Sequence, residues 1–126
     1  MAVVMIVEDT DSTRKLMARL MVLAGHRPVC AESGPAALRK LEESQPDLML
    51  LDLSMPGMDG LTMLELMRAN PQWQSLPVIM VSAVSDSGTV ERAKRLGAKD
   101  YLVKARFSVE DLLGRVEQYA PAAKLC

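Results

Sequence analysis

The sequence predicts an α/β fold in which five parallel strands alternate with five helices. Two observations predict it: short apolar runs recur along the chain, and each is followed by apolar residues at helical spacing. A short apolar run between turn residues is typical of a strand that is buried on both faces. Strands of this kind, alternating with helices, form a parallel sheet that is covered by helices on both sides.

The first strand is predicted over residues 3–7, the run VVMIV, and the first helix over residues 12–24. Asp11 or Ser12 is expected to cap the start of this helix, because both residue types favour the N-cap position. Gly25 is expected to end the helix, since glycine is common just after a helical C-terminus.

The second strand is predicted over residues 27–32, RPVCAE, and its pattern is weaker than that of the first. Pro28 suits an edge strand or the start of a strand, because proline cannot donate to the hydrogen-bond ladder. Ser33 is expected to cap the second helix, and Pro46 is expected to close it.

The third and fourth strands are predicted over residues 47–52, DLMLLD, and residues 76–83, LPVIMVSA. Both runs are apolar enough to be buried on both faces of a sheet. The third helix is predicted between them over residues 61–69, and Asn70 with Pro71 is expected to stop it.

The last part of the chain supplies a helix, a strand and a final helix. The fourth helix is predicted over residues 87–96 with Gly97 as its C-cap, and the fifth strand over residues 100–104. Ser108 is expected to cap the final helix, which carries apolar residues on one face. The pattern thus contains five strand–helix units, with no internal repeat or low-complexity segment between them.

Length and composition fit one globular domain. We expect residues 1–120 of the 126 to form it, and residues 121–126 to be a C-terminal tail or a truncated linker. The formal net charge is −1, whereas nucleic-acid-binding domains are typically strongly basic. No apolar run approaches the roughly 18 residues that a membrane helix needs. Two distant cysteines, Cys30 and Cys126, favour a reduced, cytoplasmic setting.

Polar side chains follow four of the predicted strands, at the point where each strand ends. Glu8 and Asp9 follow the first strand, and Asp52 ends the third. Ser82 ends the fourth strand and Lys104 ends the fifth. Because ligands of an open parallel sheet bind at the carboxyl ends of its strands, we expect these five side chains to meet at one edge.

Three carboxylates at one edge would repel one another, and their pKa values would rise unless a cation compensated. Mg²⁺ prefers oxygen ligands and is typically held by one or two carboxylates together with phosphate oxygens. A lysine and a serine nearby can supply a cation and a hydrogen-bond donor to a phosphoryl group. The edge is therefore interpreted as a Mg²⁺ site at which a carboxylate can act as a nucleophile and form an aspartyl phosphate.

Each of these residues also has an ordinary structural explanation when it is taken alone. Glu8 and Asp9 could form an acidic loop before a helix, and Asp52 could begin a turn. Ser82 could be a strand-end hydroxyl, and Lys104 a solvated surface lysine. The functional interpretation depends on their joint placement at the ends of different strands.

Four stretches of the chain resemble the receiver domains of two-component response regulators: VEDTDSTR, LLDLSMPGMDGL, VIMVSA and GAKDYLVKA. The resemblance covers essentially the whole chain. It implies a flavodoxin-like, doubly wound (βα)5 fold with strand order 2-1-3-4-5. It also implies a phosphorylation-activated signalling switch that catalyses its own phosphoryl transfer and autodephosphorylation.

The resemblance further implies a role for each residue at this edge. Asp52 would accept the phosphoryl group, and Ser82 and Lys104 would contact it. Tyr101 would be the aromatic switch residue that turns inward when Ser82 is drawn toward the phosphate. Mg²⁺ would be bound by Glu8 through water, by Asp9, by Asp52 and by the backbone carbonyl of Ser54.

The sequence departs from the family pattern directly after Lys104. The family usually has Lys-Pro with a cis peptide bond at this point, whereas this chain has Lys104-Ala105. A cis bond before a residue other than proline costs about 2.5–4 kcal/mol. Either the fold retains that strain, or the bond is trans and Lys104 is aimed differently.

By the same resemblance, the phosphodonor would be a sensor histidine kinase or a histidine phosphotransfer protein. A homodimer would form through the face made by the fourth helix, the fifth strand and the fifth helix. The domain would bind neither nucleic acid nor membrane directly. One alternative is a receiver-like interaction or dimerisation module that is never phosphorylated. A flavin- or nucleotide-binding domain is another, but it would need a glycine- or hydroxyl-rich loop where this chain has EDTDSTR.

Overall fold

The computed structural model describes residues 2–120, so the expected tail over residues 121–126 lies outside the described part. The five strands are β1 (Val3–Val7), β2 (Arg27–Ala31), β3 (Leu48–Leu51), β4 (Val78–Ser82) and β5 (Asp100–Val103). The five helices are α1 (Asp11–Leu23), α2 (Gly34–Glu43), α3 (Gly60–Arg68), α4 (Ser87–Arg95) and α5 (Val109–Tyr119). Within the described residues, no helix has both the length and the apolar character needed to cross a membrane.

The strands form a single parallel sheet in the order β2-β1-β3-β4-β5, which confirms the predicted topology. β1, β3 and β4 each have a strand on both sides, and all residues of β3 and β4 are buried. β2 is an edge strand, which explains its weaker apolar pattern and the presence of Pro28.

Helices cover both faces of the sheet, because alternate residues of a buried strand point to opposite sides. On one face, Met49 and Leu51 of β3 belong to the core that α2, α3 and α4 complete. On the other face, Leu48 and Leu50 pack in the core that includes residues of α1 and α5. The two apolar layers leave only the ends of the strands available for charged groups.

Most of the expected helix caps are present. Ser33 accepts a hydrogen bond from the N–H of Ala36 at 3.2 Å. Ser108 and Asp111 form a reciprocal capping box at the start of α5. Gly25 follows α1 with a φ of +87°, a left-handed conformation that favours glycine.

The expected cap of α1 is wrong. The N-cap residue is Thr10, and its side chain makes no capping hydrogen bond. Asp11 is instead the first helical residue, where it pairs with Arg14 and with Lys15 at 3.6 Å. The side chain of Asp11 is therefore turned along the helix, toward the basic residues of the first turn.

Replacing Ser108 with alanine is expected to lower the free energy of unfolding by about 1 kcal/mol, because α5 loses its side-chain cap. Ser12→Ala is the matched control, since Ser12 lies inside α1 and should contribute far less. Urea unfolding followed by circular dichroism measures both variants. An equal loss of stability in the two would contradict the assignment of the cap to Ser108.

Candidate metal centre at the carboxyl edge of the sheet

The backbone ladder of the sheet continues one residue beyond the strands, and this fixes the side chains at the carboxyl edge. The N–H of Asp52 donates to the carbonyl of Val7 at 3.0 Å. The N–H of Lys104 donates to the carbonyl of Ser82 at 2.9 Å. Asp52 and Lys104 are thereby held on the sheet, although each lies just outside a regular strand.

Three carboxylates meet at this edge, as the sequence predicts. Glu8, Asp9 and Asp52 each offer one oxygen, and the three oxygens lie within 4.8 Å of one another. Glu8 is 1% exposed and Asp52 is 4% exposed, whereas Asp9 is the more accessible of the three. A cluster of hard oxygen donors that is open on one side fits Mg²⁺, which keeps part of its water shell.

Lys104 joins the cluster from β5, and its closer partner is Glu8. The Nζ of Lys104 lies 2.8 Å from Oε1 of Glu8 and 3.6 Å from Oδ2 of Asp52. The other oxygen of Glu8 accepts a hydrogen bond from the N–H of Thr10 at 3.1 Å. Burial alone would lower the pKa of Lys104, but the hydrogen bond to Glu8 and the charge of Asp52 raise it.

The single amine does not neutralise the cluster. Burial and, to a smaller extent, the negative charge of Glu8 raise the pKa of Asp52 from 3.8 to about 6. The charge of Lys104 and the N–H of Ser54, 3.4 Å from Oδ1 of Asp52, oppose this rise only in part. The carboxylates therefore lack positive charge, which a divalent cation would supply.

Ser82 and Tyr101 both contact the backbone of Val84, just beyond the end of β4. Oγ of the fully buried Ser82 accepts a hydrogen bond from the N–H of Val84 at 3.2 Å. The hydroxyl of Tyr101 donates to the carbonyl of the same residue at 2.6 Å. Tyr101 is 8% exposed, and burial raises the pKa of its hydroxyl. The aromatic ring thus already lies inward, beside the loop that follows Ser82.

The Lys104–Ala105 peptide bond is trans, like every other peptide bond in the described part of the chain. Of the two possibilities left open by the sequence, the trans bond is therefore the one found. Lys104 reaches the carboxylates from this backbone, so the proline of the family pattern is not required for that contact.

Gly60 is a residue of the site that the sequence analysis did not single out. A Cβ at this position would lie 2.5 Å from the carbonyl oxygen of Asp52 and 2.8 Å from the Cα of Leu53. The N–H of Gly60 also donates to the carbonyl of Leu53 at 2.8 Å. Only glycine lets α3 begin directly against the backbone of Asp52. A glycine at the first position of a helix, after the capping Asp59, is the signal that could have revealed it.

A doubly wound parallel sheet with an acidic cluster and a lysine at its carboxyl edge defines a flavodoxin-like domain of the receiver class. The chain belongs to the response regulator receiver domain family, whose model matches residues 4–117. Phosphorylation and Mg²⁺ binding in two-component systems are typical of this family.

Known relatives differ in how much of their length this chain covers. The chain is 35% identical to the regulatory protein AtoC of Escherichia coli strain K12 over 86% of its own length, but it spans only 23% of AtoC. It is 33% identical to the protein PilG of Pseudomonas aeruginosa, over 94% of this chain and 87% of PilG. The solved structure of the chemotaxis protein CheY4 of Vibrio cholerae superposes with a TM-score of 0.87 at 28% identity, covering 94% of this chain and 98% of that one.

Replacing Asp52 with asparagine is expected to stabilise the Mg²⁺-free protein at pH 7.5 by about 1–3 kcal/mol. Folding raises the pKa of Asp52 from 3.8 to about 6, so the folded state binds this proton more tightly than the unfolded state. The stability of the wild type therefore falls as the pH rises from about 4 to about 6, and the neutral amide escapes this loss. The full change in pKa corresponds to at most about 3 kcal/mol.

Urea unfolding of both proteins at pH 4.5 and pH 7.5 measures this effect. The gain from Asp52→Asn should be much larger at pH 7.5 than at pH 4.5. Glu42→Gln, which removes an exposed carboxylate from α2, should show little dependence on pH. A variant that is no more stable than the wild type at pH 7.5 would contradict the raised pKa.

Proposed function

We propose that this chain is a phosphorylation-activated signalling switch in which Asp52 accepts the phosphoryl group. The convergence of carboxylates from two strand ends with a lysine from a third carries this proposal. Asp52 is the one carboxylate of the cluster that is delivered by the central strand β3, and Glu8, Asp9 and Lys104 surround it. Membership of a family in which phosphorylation is typical supports the same assignment.

Mg²⁺ would be held by Glu8, Asp9 and Asp52, with the backbone carbonyl of Ser54 as a further ligand. When bound, the ion supplies positive charge that stabilises the negative charge of a transferring phosphoryl group. The raised pKa of Asp52 supports this assignment, because after burial the negative charge of Glu8 is the next cause of the rise.

The acceptor carboxylate of Asp52 would attack the phosphorus atom of a phosphohistidine in line with the bond that breaks. A pKa of about 6 leaves this carboxylate ionised at neutral pH, so no base is needed to activate it. The new bond joins an oxygen of Asp52 to phosphorus, while the P–N bond breaks and its electron pair stays on the imidazole. Catalysis of such a transfer is mainly positioning and electrostatic stabilisation.

Lys104 and Ser82 would bind the phosphoryl oxygens after transfer. Lys104 lies 3.6 Å from the acceptor carboxylate and would shift from Glu8 toward the new negative charge. Oγ of Ser82 accepts one hydrogen bond from Val84, and its hydroxyl hydrogen would donate to the phosphoryl group. The hydroxyl of Tyr101 donates to the carbonyl of Val84, so a movement of Ser82 would be transmitted to Tyr101 through the backbone of Val84.

The output would be a shift in the population of two conformations of the face formed by α4, β5 and α5. A change from mostly inactive to mostly active requires about 5.5 kcal/mol of differential binding. One hydrogen bond to a charged group supplies about 1.5–3 kcal/mol, so several contacts must act together. Lys104, Ser82 and the metal ligands are the groups that would supply them.

The natural phosphodonor would be a sensor histidine kinase or a histidine phosphotransfer protein in the cytoplasm. The face formed by α4, β5 and α5 would serve as the interface for an effector or for a second copy of the chain. The formal net charge of −1 gives no support to direct binding of nucleic acid by this domain.

Incubation with Mg²⁺ and acetyl phosphate is expected to add the mass of one phosphoryl group to the wild type, as measured by intact-protein mass spectrometry. Asp52→Asn should abolish the gain, and so should removal of Mg²⁺ with a chelator. Asp59→Asn is the matched control, because asparagine also caps helices well and α3 should keep its start. It should be phosphorylated like the wild type.

An unmodified wild type would overturn the assignment and favour an interaction module that is never phosphorylated. Undiminished phosphorylation of Asp52→Asn would show that another residue is the acceptor.

A further inference from the structure

Arg14, in the first turns of α1, reaches back to the loop that carries two of the three carboxylates. Its Nη1 donates to the backbone carbonyl of Glu8 at 2.8 Å and approaches the carbonyl of Asp9 at 3.5 Å. Its Nη2 contacts the carboxylate of Asp11. The Arg14 side chain is only 14% exposed, so the guanidinium lies against the loop and not in solvent.

The loop between β1 and α1 consists of residues 8–10, and Lys104 binds the side chain of Glu8 but not the backbone of this loop. The N–H of Glu8 donates to the carbonyl of Ala31, and the N–H of Thr10 donates to the side chain of Glu8. In the part of the chain that the structure describes, no other side chain donates to the carbonyls of Glu8 or Asp9. Arg14 therefore contacts the backbone carbonyls of Glu8 and Asp9, the two residues of this loop whose carboxylates belong to the cluster.

We propose that Arg14 is a positioning residue that raises the Mg²⁺ affinity of the site by fixing the backbone of Glu8 and Asp9. The inference rests on the proposed function, since it concerns the same metal ligands. A guanidinium suits this role because its N–H donors form a rigid planar fork that can hold more than one acceptor. Groups that orient metal ligands typically change metal affinity by about 10–100-fold.

The charge of Arg14 alone would have the opposite effect, which makes the sign of the result decisive. A cation near the carboxylates repels Mg²⁺, so its removal would tighten Mg²⁺ binding if charge were all that mattered. Loss of positioning would weaken Mg²⁺ binding instead. Lysine keeps the charge but not the planar fork, so Arg14→Lys separates the two effects.

Isothermal titration calorimetry with Mg²⁺ on the full chain tests the proposal. Arg14→Met is expected to weaken Mg²⁺ binding by about tenfold or more, and Arg14→Lys by less, since one donor can still reach one carbonyl. Arg19→Met is the matched control, because Arg19 is exposed on the same helix, and its affinity should match the wild type. Saturating Mg²⁺ should restore phosphorylation of both Arg14 variants by acetyl phosphate.

Thermal unfolding of each variant in Mg²⁺-free buffer separates positioning from folding. The proposal would be overturned if Arg14→Met bound Mg²⁺ as tightly as the wild type or more tightly. The proposal would also be overturned if the loss of affinity in Arg14→Met merely followed its unfolded fraction and the folded Arg14→Lys variant bound Mg²⁺ like the wild type. A wild type that binds no Mg²⁺ would overturn the proposed metal site itself, whatever the variants do.

Discussion

Repulsion among three carboxylates at one edge of the sheet is the constraint that organises this molecule. Their oxygens lie within 4.8 Å of one another, and two of the three side chains are almost fully buried. One lysine binds Glu8 closely and Asp52 more distantly, and burial together with the charge of Glu8 keeps the pKa of Asp52 raised. The site therefore has an unfavourable charge distribution that a bound cation would relieve.

The location of the site follows from the apolar core. β3 and β4 are buried along their whole length, so a charged group can follow them only where the strand ends. Parallel strands bring all their carboxyl ends to one edge, and Asp52, Ser82 and Lys104 consequently meet there despite their separation in sequence. The backbone ladder extends to the first residues beyond the strands and fixes the main chain of Asp52 and Lys104 at this edge.

Sequence patterns were sufficient for the strands, most helix bounds and the residues at the carboxyl edge, because burial and helical spacing leave a periodic signature. The strand order came from resemblance to the receiver family and is confirmed. The sequence could not reveal the cap of α1, the preference of Lys104 for Glu8, or the contacts of Arg14. The contact of Lys104 with Glu8 joins residues that are 96 positions apart, and the other two depend on the direction in which a side chain turns, which periodicity does not encode.

Val84 links Ser82 and Tyr101 through its main chain. Ser82 binds its N–H and Tyr101 binds its carbonyl, so both contacts are made to the main chain. An alanine scan would not detect these contacts, because alanine keeps the backbone N–H and the carbonyl. Proline, which lacks the N–H, would remove the link to Ser82 and leave the one to Tyr101. Comparisons of side chains across homologues would be equally uninformative, since both contacts are made to groups of the main chain.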